Sequence, residues 1–241
     1  MPETVNVIVP VKRMSPKGEH CFFGYYDIPA ADRAGRHLCH RVQFRDRLPR
    51  RGDVAELGWL ALPGNADAEP DGIFHPIAET EAWNFQQSSM AQWLASEPDT
   101  CLFNAFEHEA YGSRIHDIRT GRSRLLPLPV ANVSRDGTKA LCINMSRLFD
   151  FRPGYGYEEL PDPFADVAQP RDDGVRLMDI RTGNNRLILS LADIVEFLEQ
   201  SGERIGGKKV LINHITFNPS ATRFLLLLRT FPEPGKRWET F

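Results

Sequence analysis

The side chains that could do chemistry in this chain include seven histidines, which invite a metal hypothesis. Their spacing argues against it: His37 and His40 are three apart on a predicted strand, so their side chains point to opposite faces. The sequence has no His-Glu-x-x-His, no Cys-x-x-Cys and no calcium-loop pattern. We therefore predict no metal site and no cofactor within this chain.

Polar residues near the ends of several predicted strands are better candidates for a ligand site. Amide, imidazole and carboxylate groups can donate to or accept from hydroxyls, so together they suit a polyhydroxylated or anionic ligand. The alternative is that they satisfy backbone groups, and the pattern does not decide between the two. The predicted ligand contacts of this kind are His20, Gln86, Gln87, Asn213 and His214.

An acid, base and aromatic cluster follows a further strand. Glu107, His108 and Glu109 come just before Tyr111. As a site, Glu107 and His108 would supply proton transfer or sugar contacts; as solvated hairpin residues they need no role. No nucleophile elbow, phosphate-cradling loop or dinucleotide fingerprint accompanies them, so we assign no catalytic residue.

Short apolar runs separated by turn residues must position these side chains. Residues 89–145 read as strand, tight turn, strand, loop, strand, tight turn, strand, and then the same start again. This pattern is typical of antiparallel hairpins, and a recurring four-stranded unit is typical of a β-propeller blade. We predict an all-β propeller with about four blades, the last of them incomplete. The predicted blades span about 19–79, 86–129, 130–189 and 210–241.

Two further patterns support this organisation. Asp-Ile-Arg-Thr-Gly occurs at 117–121 and at 179–183, at the same place in two predicted blades, which indicates duplication. Ser190 resembles a helix N-cap, with Asp193 at the third helical position. We therefore predict one short amphipathic helix, at 191–200, inside a connection between blades.

The lengths of the connections favour one end of the strands as the functional end. The turns at 31–35, 96–99, 119–121, 135–137, 181–183 and 218–221 are tight and share one end, whereas 44–55, 80–88, 107–112, 146–174 and 190–209 are longer and share the other. Binding residues usually lie on long loops carried by a rigid scaffold. We expect the site on the long-loop side; the alternative is that these are surface insertions without a role.

Composition limits the function classes. The net charge of -3 argues against a general electrostatic grip on nucleic acid, and no apolar run reaches membrane-spanning length. We expect neither a nucleic acid nor a membrane as partner. The N-terminus lacks the features of a secretory signal. The four cysteines read as buried thiols in a reducing compartment, so we expect the cytoplasm.

The chain resembles the oligogalacturonate lyase-like β-propellers, a group that shares its blade pattern with TolB-type propellers. The resemblance rests on His20, the Tyr25-Tyr-Asp27 stretch, the two Asp-Ile-Arg-Thr-Gly hairpins and the segment 213–220. Tyr26 and Asp27 complete the set of predicted ligand contacts. The resemblance implies a seven-bladed ring, β-elimination on uronic acid chains and a manganese site whose histidine-rich segment lies beyond Phe241.

These observations lead to two functional hypotheses. The first is a saccharide-handling propeller that binds an acidic oligosaccharide and is not catalytically complete in this chain. The alternative is a non-catalytic interaction propeller that holds a protein partner on its long loops. In either case we expect an exposed sheet edge near 223–231, through which the chain would self-associate.

Overall fold

The fold is known from a computed structural model, which describes residues 11–25, 28–64, 69–235 and 237–241. Within these ranges the chain forms fourteen strands and two short helices. The strands are β1 (His20–Phe22), β2 (Arg36–Val42), β3 (Ala55–Ala61), β4 (His75–Thr80), β5 (Gln92–Trp93), β6 (Thr100–Glu107), β7 (Ala110–Asp117), β8 (Ser123–Leu126), β9 (Asn132–Val133), β10 (Lys139–Cys142), β11 (Gly174–Asp179), β12 (Asn185–Ser190), β13 (Val210–Phe217) and β14 (Phe224–Thr230).

Strands that follow one another in sequence pair antiparallel. They form sheet 1 (β1–β4), sheet 2 (β5–β8), sheet 3 (β9–β12) and the two-stranded sheet 4 (β13–β14). The all-β prediction and the four-stranded antiparallel units are confirmed, and each predicted unit contains one of these sheets. The propeller and its number of blades stay predictions.

The two Asp-Ile-Arg-Thr-Gly segments form equivalent turns, which explains the repeat. Asp117 Oδ1 accepts the backbone N–H of Thr120 at 3.0 Å, and Asp179 Oδ1 accepts that of Thr182 at 2.7 Å. Gly121 ends the first turn with a φ of +71°, a conformation that favours glycine. The aspartate, threonine and glycine are therefore the residues that this turn requires.

The predicted helix is confirmed as α2 (Leu191–Gln200). Ser190 Oγ accepts the N–H of Asp193 at 3.0 Å, while Asp193 Oδ2 accepts the N–H of Ser190 at 3.1 Å, which completes a capping box. Helical spacing predicts an apolar face of Leu191, Ile194, Val195 and Leu198; the first three are buried and Leu198 is partly buried against the same cluster.

A second helix, α1 (Met145–Phe151), was not predicted. Its N-cap is Asn144, whose Oδ1 accepts the N–H of Arg147 at 3.0 Å. The segment has only seven residues, too few to show an amphipathic period, and its sequence predicts a strand end followed by a loop.

The predicted long connection at 107–112 is also wrong. β6 and β7 are joined by His108 and Glu109 alone, and both residues have positive φ, 53° and 57°. This is the conformation of a type I′ hairpin turn. The usual Asn-Gly signal for such a turn is absent, so this turn could not be recognised from the sequence.

The sheets pack against each other in the order of the chain. Sheets 1 and 2 are in contact through β4 and β6, and sheets 3 and 4 through β9 and β13. A buried cluster that includes Leu102, Val130, Ala140 and Met178 fills the space between sheets 2 and 3. A larger cluster joins α1, α2 and sheets 3 and 4.

The remaining predictions about the scaffold are partly confirmed. All four cysteines are free thiols; Cys39, Cys101 and Cys142 are buried and Cys21 is half-buried. Neither helix in the described part of the chain is long and apolar enough to cross a membrane. The outer edge of β14 is half covered, because Glu239–Phe241 pairs with Leu228–Thr230. Self-association through the rest of this edge stays a prediction.

Candidate functional site

A wide opening lies at the end where the first strand of each sheet turns into the second, which we name the turn end. A cavity of about 830 Å³ is located here, and we name it the turn-end cavity. All four sheets contribute to its lining through residues near these first turns. The lining comprises residues 29, 31–34 and 36 of sheet 1, 92–95 and 97–100 of sheet 2, 132–135 and 137 of sheet 3, and 216–219 of sheet 4.

Small turn residues allow the sheets to approach here. Gly137 has a φ of +71°, and a Cβ at this position would lie 2.7 Å from Ser96 Oγ in the turn of sheet 2. Asn132 Oδ1 accepts the backbone N–H of Phe217 at 2.9 Å and so joins sheet 3 to sheet 4. The sequence of these turns therefore sets how closely the four sheets converge.

An arginine bridge forms the wall between sheets 1 and 2. The Arg36 guanidinium donates to Asp32 Oδ2 at 2.6 Å and contacts Asp99 Oδ1 at 2.7 Å. Its Cζ atom lies 4.8 Å from the centroid of the Trp93 ring. Trp93 Nε1 donates to the carbonyl oxygen of Ala30 at 2.9 Å. Trp93 is thus held in a fixed position at the cavity wall.

Two more arginines line the turn-end cavity, and the lining also contains one carboxylate, that of Glu97, besides the two bound to Arg36. Arg33 and Arg135 are exposed, and neither forms an ion pair with any residue of the described ranges. Together with the ring of Phe217 and the amide of Gln92, they combine positive charge, aromatic surface and hydrogen-bonding groups. Such a lining can bind an anionic ligand that carries hydroxyl groups.

The opposite end of the sheets, which we name the loop end, is covered by residues 152–160. We name this segment the strap. Asn84 Nδ2 donates to the carbonyl oxygen of Gly156 at 2.9 Å, and the N–H of Gly156 donates to Gln87 Oε1 at 3.2 Å. Asn104 Nδ2 donates to the Tyr157 hydroxyl at 2.9 Å. The strap therefore bonds to residues of sheet 2 and to the connection that precedes it.

The strap also reaches sheet 1. Glu159 Oε1 accepts the N–H of Gly52 at 2.6 Å, and burial raises the pKa of the Glu159 carboxyl. The N–H of Leu160 donates to the Tyr111 hydroxyl at 2.9 Å, which adds a contact with sheet 2. A long connection that starts in sheet 3 thus spans the loop end instead of leaving it open.

A buried arginine anchors the insertion that carries the strap. Arg147, which is 1% exposed, contacts Asp162 Oδ2 through Nη1 at 2.8 Å. Its Nε donates to the carbonyl oxygen of Val210 at 2.7 Å, and Nη2 donates to those of Val167 and Ala168, both at 2.9 Å. Because every nitrogen of this guanidinium has an acceptor, we interpret the pair as structural.

Asn213 and His214 lie together in a β-bulge of β13. The register shifts from Ile212 opposite Leu228 to Ile215 opposite Leu226, so two residues face Leu227 alone. Asn213 is 3% exposed, and its Oδ1 atom is buried without a partner among the described residues. The bulge therefore redirects both side chains out of the regular ladder.

His214 connects the first and last sheets. Its Nδ1 atom shares a hydrogen bond with the Tyr25 hydroxyl, and the two rings stack with centroids 5.9 Å apart. Thr216, two residues further along β13, lines the turn-end cavity. His214 is therefore two residues along β13 from a residue that lines the cavity.

The other predicted contacts are dispersed. His20 is half-buried at the start of β1, Gln86 is exposed, and Gln87 is buried against the strap. Glu107 Oε1 accepts from Arg114 Nε at 2.8 Å, and His108 is exposed in its hairpin turn. Tyr26 and Asp27 lie outside the described residues.

Of the seven described candidates, Asn213 lies beside His214 and Gln86 beside Gln87, as their adjacent positions in the sequence require. None of the seven lines the turn-end cavity. The residues that line it, above all Arg33, Trp93 and Arg135, were missed. The available signal was their position: each lies in, or close to, the first tight turn of a predicted blade.

Metal chemistry finds little support in the described ranges. They contain no group of three or more His, Cys, Asp or Glu side chains arranged to hold a metal ion. No step proposed below depends on a metal ion.

Comparison with known proteins does not assign the chain to a family. No family model matches the chain, and no curated protein or solved structure matches it either. The resemblance to oligogalacturonate lyase-like propellers therefore stays a prediction, and the case for function rests on the geometry described above.

Proposed function

We propose that this chain forms consecutive blades of a β-propeller and binds an acidic oligosaccharide in the turn-end cavity. One observation carries the proposal: the first turns of all four sheets border a single cavity of about 830 Å³. In a propeller the first strand of each blade is the innermost one, so first strands and their turns surround the central channel.

The packing of the sheets supports the propeller. Each sheet is a simple antiparallel meander, and sheets 1 with 2 and 3 with 4 pack in chain order. The hydrogen bond between Tyr25 and His214 links sheet 1 to sheet 4, as expected if both face the same channel. A stack of sheets in a straight row would keep these two sheets apart.

The lining supports an acidic saccharide. The guanidinium groups of Arg33 and Arg135 are free of ion pairs within the described ranges and can bind carboxylates. Trp93 and Phe217 provide ring surface, and Gln92, Asn132 and Asn218 provide groups that hydrogen bond to hydroxyls. The volume lies within the range of about 300–1,000 Å³ that is usual for ligand sites.

The proposal concerns binding and not elimination. The lyase chemistry implied by the resemblance needs a manganese site, and the described residues assemble none. The only buried histidine among the described residues, His40, has a pKa lowered by burial to about 3, and its Nε2 atom bonds to Ser89 Oγ at 2.8 Å. It is enclosed and does not line the cavity.

Isothermal titration with trigalacturonate, compared with a neutral glucose trisaccharide, tests the proposal. We expect the acidic ligand to bind and the neutral one to bind at least about tenfold more weakly, a difference of about 1.4 kcal/mol. The double variant Arg33→Gln/Arg135→Gln should lose this preference. The matched control is Arg186→Gln, because Arg186 is an exposed arginine of β12 outside the cavity.

Failure of the wild type to bind either ligand would overturn the proposal and favour the alternative, a propeller that holds a protein partner. Binding that is equal in the double variant and the wild type would place the site elsewhere on the molecule.

A further inference from the structure

A second group of cations, away from the turn-end cavity, lies on one face of sheet 4. Leu211 pairs with Arg229, and the N–H of Phe231 donates to the carbonyl oxygen of Lys209 at 2.8 Å. Arg229 also forms a bridge with Thr240. Directly opposed residues share a face and faces alternate along a strand, so Lys209, Arg229, Phe231 and Trp238 belong to the same face.

The end of α1 packs onto this face. Phe151 contacts Phe231 and Trp238, with ring centroids 5.4 and 5.6 Å apart, both near perpendicular. The next residue, Arg152, is exposed, and its Cζ atom lies 5.9 Å from the Trp238 centroid. The helix thus brings a third cation to the two already on the sheet.

Each of these cations lies over an aromatic ring. Arg229 Cζ is 5.8 Å from the centroid of Trp238, and Lys209 Nζ is 4.5 Å from that of Phe231. Arg152 and Arg229 both lie within 6 Å of the centroid of the same indole, that of Trp238. Aromatic faces favour cations, so the rings hold the positive groups in place without neutralising them.

Carboxylates balance this charge only in part. Neither Arg152 nor Arg229 forms an ion pair with any residue of the described ranges. Two carboxylates lie near Lys209. Asp162 Oδ2 is 4.0 Å from its Nζ atom and already binds Arg147 at 2.8 Å, and the Asp150 carboxyl interacts electrostatically with both Lys209 and Arg147. Glu239 pairs instead with Lys208, at 2.6 Å.

One donor in the group has no acceptor. Arg229 Nε is buried and makes no hydrogen bond in the structure. Buried polar groups are nearly always hydrogen-bonded, and one that is not calls for a partner. Arg229 as a whole is only half-buried, so an acceptor supplied from outside the protein can approach its guanidinium group.

We infer that Arg152, Lys209 and Arg229 form a binding site for a tetrahedral dianion, that is, a phosphate or sulfate group. Three cations that no carboxylate fully neutralises favour a dianion over a single carboxylate, and guanidinium edges match the oxygens of phosphate and sulfate. Trp238, 41% exposed, lies at the rim, where it can cover an apolar part of a larger ligand. The inference is independent of the proposed saccharide site.

Calorimetry and tryptophan fluorescence with inorganic phosphate and inorganic sulfate test the site, at an ionic strength held constant with chloride. We expect saturable binding by the wild type and at least a tenfold weaker affinity in Arg229→Gln and in Arg152→Gln. The matched control is Arg186→Gln, an exposed arginine on β12, which should bind as the wild type does. Trp238→Phe should lose the fluorescence response and keep calorimetric binding.

The two oxyanions and acetate distinguish the sources of the ligand. Preference for phosphate indicates a phosphorylated ligand and preference for sulfate a sulfated one, whereas acetate should bind more weakly than both. The double variant Arg33→Gln/Arg135→Gln should bind phosphate normally, so failure of the saccharide proposal would leave this result intact.

Absence of saturable binding by the wild type up to about 20 mM anion, well above a millimolar Kd, would overturn the inference. Equal affinities of the wild type and Arg152→Gln would do so as well. Because Arg152 is exposed, the second result stays readable even if Arg229→Gln fails to fold.

Discussion

The two ends of the sheets use their connections in opposite ways. At the loop end, the long insertion between β10 and β11 folds back over the sheets and is fixed there by buried hydrogen bonds. At the turn end, the short turns of sheets 2, 3 and 4 do not reach across the sheets, and a cavity of about 830 Å³ is left between them. A long loop can therefore close an opening, and short turns can leave one.

The pKa values of the carboxyl groups also differ between the two ends. At the turn end, hydrogen bonds from Ser134 and Thr138 lower the pKa of Asp136, and those from Thr182 lower the pKa of Asp179. At the loop end, burial raises the pKa of Glu159 and of Asp173. One end has solvated, charged turns, and the other has carboxylates within a packed interior.

Among variants that test this difference between the two ends, we expect Arg147→Met to cause the largest loss of stability. The change leaves Asp162 buried without its partner, so we expect the free energy of unfolding to fall by about 3–5 kcal/mol. The matched variant is Arg36→Met at the turn end, whose side chain is 17% exposed and should cost only about 1 kcal/mol. Urea denaturation measures both; equal losses would mean that the two ends are not anchored differently.

The variant Gly156→Ala should cause the next largest loss of stability. A Cβ at this position would lie 2.1 Å from the carbonyl oxygen of Met145, and the residue has a φ of +62°. We expect a loss of about 3 kcal/mol, the sum of overpacking and a left-handed backbone. Gly121→Ala, with a φ of +71° and no atom within 4 Å of the new Cβ, isolates the backbone part, about 1–2 kcal/mol. If the two variants are equally stable, the strap is not tightly packed.

The smallest effect is a pH dependence of opposite sign at the two ends. Asp179 has a pKa below 3.8, so its stabilising contribution is present above that value and is lost as the pH falls through the folded pKa. Asp173 has a pKa above 3.8, so its contribution is present below that value and is lost as the pH rises through the folded pKa.

The free energy of unfolding of the Asp179→Asn and Asp173→Asn variants, measured between about pH 6 and about pH 3, tests these two directions. The destabilisation caused by Asp179→Asn should shrink as the pH falls, while that caused by Asp173→Asn should grow. Changes in the same direction for both variants would contradict the difference between the ends.

Local sequence patterns predicted the structure best where neighbouring residues alone decide it. Alternating apolar residues and turn residues predicted the strands of all four sheets, and Ser190 with Asp193 predicted α2. Local patterns failed at His108 and Glu109, whose turn type has no sequence signal there, and at α1, whose seven residues are too few to show a period.

The site was harder to predict, because it depends on how distant segments fold together. Loop length indicated the loop end, yet nothing local shows that Gly156 fits against Asn84 and closes that end. Arg33 and Arg135 are about a hundred residues apart and share a cavity only because the sheets converge. Their side chains look like ordinary solvated turn residues in the sequence.

The position of the ligand site is the central claim, and two of the four tryptophans report on it directly. Trp93 lines the turn-end cavity, whereas Trp83 is buried toward the loop end, where its Nε1 donates to the carbonyl oxygen of Asp53 at 2.7 Å. We predict that trigalacturonate changes the fluorescence of Trp83→Phe as it does that of the wild type, and that the change is lost in Trp93→Phe. A response that is kept in Trp93→Phe and lost in Trp83→Phe would contradict the account and move the site to the loop end.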